Sequence, residues 1–216
     1  RLAPDGRGIR LVPQLGTGPH DSSREVHFEI VDKLADHSPG TVSDGDGMCP
    51  YSDCNRQIDG DEIKTQAQAG NMGEVLYAIV VKRPVSKPTK SGRMKESFEK
   101  TYRVPNKADD VYGLIRARLD EKIPDWEVMG FIPNEPIPLG LKTEEPRRYG
   151  ITAWRNMFSA RQLFGHCTAV EVFNELLDEA NANGQLSDLS KAAFVYLSFS
   201  IDKLLNWNAI LSSWNV

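Results

Sequence analysis

Apolar and polar positions alternate with a period of two through much of the first half of the chain, and with a helical period through the second. The clearest alternation is Val26-His27-Phe28-Glu29-Ile30, which predicts a strand buried on one face. Residues 9–12 predict a short partner strand. Between them Gly16, Gly18, Pro19, Asp21 and two serines mark a turn over residues 16–23. Gly40-Thr41-Val42 begins another extended piece, and Gly45-Asp46-Gly47 leads into Cys49-Pro50-Tyr51-Ser52-Asp53-Cys54. The β-branched run at 75–81 predicts a strand ended by Pro84, and residues 98–104 alternate again. With a polar loop at 87–96 between them, the two form a long hairpin.

The second half changes period. Asn106 is placed to cap a helix running to Lys122, with Val111, Ile115, Leu119 and Ile123 on its apolar side and Asp109 and Asp110 in its first turn. Pro124 is expected to stop it. Residues 124–148 hold five prolines and predict a connector without regular structure, the expected boundary. Ser159-Ala160-Arg161-Gln162 is a capping box opening a helix with Leu163, Cys167, Val170, Phe173, Leu177 and Ala180 inward and Asn183-Gly184 at its end. Trp154 and Phe158 just before that cap fit a hydrophobic staple. Ser187 or Asp188 caps a last helix with Phe194, Leu197, Ile201 and Leu204 or Leu205 on its apolar side. The fold class is α+β: residues 1–105 β-rich, 106–148 a helix plus connector, 149–216 helical.

Composition narrows the classes. The longest apolar run, residues 192–201, is interrupted by two serines and is far short of the roughly 20 residues a membrane span needs. Three cysteines in 216 residues do not make a disulfide framework. No signal peptide is visible, so a reducing cytoplasm is the expected setting. The chain opens on Arg1-Leu2-Ala3-Pro4 without an initiator Met and ends in an apolar rhythm, which suggests an internal piece of a longer polypeptide. Net charge is −4, but residues 82–103 carry eight basic residues against two acidic ones.

Two features carry candidate chemistry. Lys82, Arg83, Lys87, Lys90, Arg93 and Lys95 stand on the hairpin, where cations can reach phosphates and gain affinity by counterion release. A solvated charged loop is the plainer reading, and Phe98 and Tyr102 are the only aromatics near enough to stack on a base. Cys49 and Cys54 on a turn are what half of a zinc knuckle looks like, although four residues separate the thiols and a structural zinc needs four ligands. His20 and His37 lie upstream as further candidate ligands; free surface thiols are the alternative. Cys167, on an apolar helix side, fits core packing. The sequence contains no Gly-rich nucleotide turn, P-loop, Gly-x-Ser-x-Gly or His-Glu-x-x-His, so no catalytic residue is assigned.

Tyr149-Gly150 … Trp154 … Met157-Phe158 … Arg161-Gln162-Leu163 resembles a signature of adenine-specific DNA methylases that carry a zinc-ribbon-like insertion. Gly40-Thr41-Val42-Ser43 with Cys49-Pro50, the run from Lys64 to Ala69-Gly70-Asn71-Met72-Gly73, and Tyr196-Leu197 … Ile201-Asp202-Lys203-Leu204 … Trp207-Asn208 … Trp214 resemble further segments in the same order. The resemblance implies transfer of a methyl group from S-adenosylmethionine to an adenine amine in DNA. The family's cofactor loop would lie upstream of Arg1 and its catalytic Asp-Pro-Pro-Tyr loop downstream of Val216. The expected function is therefore DNA positioning within a larger methyltransferase. The alternative is a non-catalytic protein-interaction module.

Overall fold

The computed structural model of the chain describes residues 2, 3, 5–16 and 23–210. His20 and most of the 16–23 turn, and Trp214, lie outside the described residues. The chain is α+β, with strand hairpins in its N-terminal half and helices in its C-terminal half. It divides into two compact units, residues 1–66 with 71–110, and residues 67–70 with 111–215. The division thus falls ahead of the proline-rich connector expected to hold it.

In the first unit, β1 (Gly8–Leu15) pairs antiparallel with β2 (Arg24–Val31), longer on both sides than the alternation predicts. Ser38 follows β1 like a partial third strand: its hydroxyl accepts from the Leu11 amide at 2.8 Å and donates to the Leu11 carbonyl at 3.2 Å. His37 lies over Gly8, where an added Cβ would stand 2.0 Å from its Nε2, so a larger residue there would displace the imidazole. A small meander follows: β3 (Val42–Ser43), β4 (Asp46–Met48) and β5 (Gln57–Ile58). Helix α1 (Gly60–Gln68), unmarked by any strong apolar period, then starts on two short polar contacts. Asp59 accepts from the Asp61 amide at 2.7 Å, and Asp46 from the Gly60 amide at 2.9 Å.

The long hairpin is β6 (Ile79–Pro88) and β7 (Met94–Arg103), joined by a tight turn in which the Thr89 amide bonds the Arg93 carbonyl at 2.8 Å. Two expectations are corrected here. The first strand begins at Ile79, leaving Val75 and Leu76 exposed. It also runs through Pro84, and half of the expected 87–96 loop is strand, leaving only residues 89–93 as the turn. Antiparallel pairs alternate between bonded and non-bonded. Counting back from Thr89 and Arg93, Pro84 and Pro88 fall on non-bonded pairs, where an amide would face outward. Their missing N–H therefore breaks no ladder bond.

The second unit is built on α2 (Tyr112–Val128), α3 (Glu144–Arg147), α4 (Ala160–Ala182) and α5 (Asp188–Leu205). Asn106 caps a short 3-10 turn, Lys107–Asp109, and α2 starts only at Tyr112. It then continues through Pro124, correcting the expected stop. An interior proline costs about 3 kcal/mol by losing the bond to the carbonyl four residues back. Burial on both sides of it offsets that: Leu119 precedes it, and Trp126, 0% exposed, follows it. Both belong to the core with Ile132, Leu163 and Cys167. Trp126 meets Phe164 of α4 at 5.7 Å between rings, and Lys122 reaches Glu171 of α4 at 2.9 Å.

Ser159 caps α4 with the expected reciprocal bonds to Gln162, and Ser187 caps α5. Phe158, just before the α4 cap, packs on the same core, while Trp154 is partly exposed in a 3-10 turn, Trp154–Met157. The connector is tied down rather than free: Pro136 bridges Ala153, and the Ile137 amide bonds the Thr152 carbonyl at 2.8 Å. Gly150, at φ 79°, lies against Ala67 of the same unit, where a Cβ would stand 2.8 Å from the Ala67 carbonyl. No helix among the described residues is long and apolar enough to cross a membrane.

Urea unfolding tests this account of α2. Trp126→Ala is expected to lose about 3–5 kcal/mol, whereas Pro124→Ala should raise the midpoint by restoring a helix bond. A lower midpoint for Pro124→Ala would show that the ring itself contributes packing.

Candidate nucleic-acid interface

The β6–β7 register sorts the hairpin's side chains onto two faces. Residues directly opposite share a face, and successive pairs alternate faces. One face carries the non-bonded pairs, whose side chains sit closest. Along it run Val80 with Tyr102, Lys82 with Lys100, Pro84 with Phe98, and Ser86 with Glu96. The other carries Val81 with Thr101, Arg83 with Glu99, Val85 with Ser97, and Lys87 with Lys95. Val81, Val85, Ser97 and Thr101 are half-buried, so this second face is the inner one near the base.

Two pairs therefore set lysine against lysine. Two unit charges about 4 Å apart repel by roughly 1 kcal/mol in water, and splayed ammonium groups feel less. A ten-residue ladder tolerates that, but nothing within the ribbon relieves it. Among the described residues, Lys82, Lys87, Lys90, Arg93, Lys95 and Lys100 form no ion pair with a carboxylate. Only Arg83 faces an acid across the ladder, without reaching ion-pair distance. Beside the outer lysines Phe98 is 68% exposed, and Met94 near the tip is open as well.

The base of the ribbon is held by contrast. Arg103 grips Asp109 with two bonds of 2.6 Å, and the Asn106 amide donates to the same carboxylate at 2.8 Å. Arg7 lies over the Tyr102 ring at 4.9 Å, and the Tyr102 hydroxyl donates to the Leu2 carbonyl at 3.0 Å. Arg103 is thus spent on structure. The six cations named from sequence all stand on the ribbon or its turn, and the register adds Lys100, whose role depends on the residue opposite it. The Arg103 guanidinium, then the Asn106 amide, hold the Asp109 carboxyl down to about 2 from 3.8.

The cysteines occupy the meander. Cys49 follows β4, and its amide bonds the Arg56 carbonyl at 2.8 Å. The Cys54 and Asn55 amides both bond the Tyr51 carbonyl at 3.0 Å, with Asn55 at φ 47°. These backbone bonds fold the chain back at residues 51–54, so Cys49 and Cys54 stand on one tight turn. The Arg56 amide, the Cys49 thiol and the nearby Arg24 and Arg56 charges hold the Cys54 thiol below its usual range. Arg24 pairs with Asp53 at 2.7 Å and lies over the Tyr51 ring at 5.3 Å. Among the described residues, no set of three or more His, Cys, Asp or Glu side chains is placed to hold a metal ion. His37 instead bonds the Gly6 carbonyl at 2.9 Å. Cys167 is 2% exposed, donates to the Phe131 carbonyl at 3.4 Å, and is pushed up to about 11 by burial.

No protein family, curated protein or solved structure matches the chain.

The Arg103 clamp makes a pH signature. A carboxyl depressed by folding stabilises the fold above its unfolded value, here 3.8, and that contribution fades as pH falls through the folded value. The Asp109 carboxyl resonance is therefore expected to titrate near 2 in the folded chain and to move up toward 3.8 in Arg103→Met. A wild-type midpoint already near 3.8 would show the clamp open in solution.

Proposed function

We propose that the chain is a DNA-positioning part of an S-adenosylmethionine-dependent adenine methyltransferase, and that the β6–β7 ribbon makes the contact. The observation that carries this reading is the set of uncompensated lysines, two of them opposed as Lys82 and Lys100 on the outer face. A polyanion relieves repulsion that the protein leaves in place. A two-stranded ribbon also suits duplex DNA in size, since the major groove is about 12 Å wide. Lys82 and Lys100 on one face, Arg83, Lys87 and Lys95 on the other, and Lys90 and Arg93 at the turn can then approach phosphates on both groove walls. Base-modifying enzymes must hold the duplex while one nucleotide is extruded, which gives such an arm its use. S-adenosylmethionine belongs to the rest of the parent methyltransferase chain in this reading, and no residue here is assigned to catalysis.

A second reading is a protein-interaction module, favoured by α5. That helix has no buried residue, and Tyr196 and Phe199 are 73% and 61% exposed. Such an apolar surface suits a protein neighbour.

Salt-dependent binding to a mixed-sequence duplex separates the two. Each lost phosphate contact lowers the log–log salt slope by about 0.9, so Lys87→Ala, Lys90→Ala and Arg93→Ala together should flatten it by up to about 2.7 and weaken binding. Lys100→Glu gives a sharper test. Opposite Lys82 it should stabilise the ribbon by about 0.2–1 kcal/mol while lowering DNA affinity. An unchanged slope and affinity in both variants would leave the protein-interaction reading in possession.

A further inference from the structure

The ribbon makes no use of the meander, and the meander carries two cysteines on one backbone-bonded turn. We propose that Cys49 and Cys54 are a reactive dithiol that closes to an intramolecular disulfide by exchange with small-molecule disulfides. Three observations support this. The turn is fixed at both ends by backbone bonds, from Cys49 to Arg56 and from Cys54 to Tyr51, so the two cysteines are held close rather than carried on a loose loop. Both are free and only half-buried, so a small reagent can reach them. Arg24 stands beside the pair, anchored by Asp53 and the Tyr51 ring, and its charge favours an anionic sulfur and an anionic reagent alike.

The exchange takes two steps. A thiolate of the pair attacks one sulfur of the reagent, the reagent's S–S bond breaks, and a small thiolate leaves and takes up the proton the protein thiol gave. The second cysteine, deprotonated in turn, attacks the protein sulfur of the mixed disulfide. The bond between Cys49 and Cys54 forms, the mixed bond breaks, and a second small thiol departs. Two electrons pass from the protein to the reagent, which is converted to two thiols. Cys167 takes no part, because its sulfur is enclosed in the helical core.

Oxidised glutathione is the probe, added to the whole chain after treatment with EDTA. The tryptic peptide of residues 34–56 contains both cysteines and no internal Lys or Arg. It is expected to lose two hydrogens, while Cys167 stays unmodified. Cys49→Ser should instead keep glutathione on Cys54, since nothing remains to displace it. Ring closure should be at least about ten-fold faster in the folded chain than in guanidinium chloride, because the turn supplies effective concentration. Stable glutathione on both cysteines of the folded wild type, or equal closure rates folded and unfolded, would overturn the proposal.

Discussion

The long hairpin of the N-terminal unit follows from the strict alternation of bonded and non-bonded pairs in an antiparallel ribbon. That alternation decides which residues of β6 and β7 share a face, how close opposed side chains come, and where a proline does no harm. A shift of one residue would exchange the faces and move Pro84 and Pro88 onto bonded pairs. The observed register therefore has a backbone reason as well as a packing one. It places Ile79, Val81 and Val85 inward and leaves Lys82, Lys100 and Phe98 outward.

The ribbon is also unevenly held. Its base is gripped by the two-bond contact of Arg103 with Asp109 and by Arg7 over Tyr102. Its far half carries charge with no partner. The energy at issue is small for any one lysine pair, well within what ten ladder pairs tolerate. The arrangement therefore has little bearing on whether the ribbon folds.

The helical unit shows a different balance. Pro124 should break α2, yet the helix passes through it because Leu119 and Trp126 are sealed into the core on either side. Local preference and tertiary burial are of similar size there, and burial wins. Along α5 burial is only partial: Phe194 meets Phe173 of α4 edge-on at 5.8 Å, while Tyr196 and Phe199 stay exposed. The thiols divide in the same way: Cys167 is made inert by the core, while Cys49 and Cys54 sit on a turn where solvent and Arg24 reach them.

The division between chain and fold can be drawn residue by residue. Periodicity and local residue type marked the α+β class, the β2 alternation, the Ser159 cap, a cap at Ser187 or Asp188 and the inward positions of α4, because each depends on neighbours within a few residues. The concentration of cations between residues 82 and 103 was equally plain, and so was the closeness in sequence of Cys49 and Cys54. Strand register was not, since it depends on residues that meet across the ladder. Lys100 faces Lys82 for that reason, and Arg103 turns away to Asp109. The passage of α2 through Pro124 and the start of β6 at Ile79 also escaped local reading, because long-range burial and pairing decide them. What the chain wrote locally it determined alone; what two distant segments had to agree on, only the tertiary structure could decide.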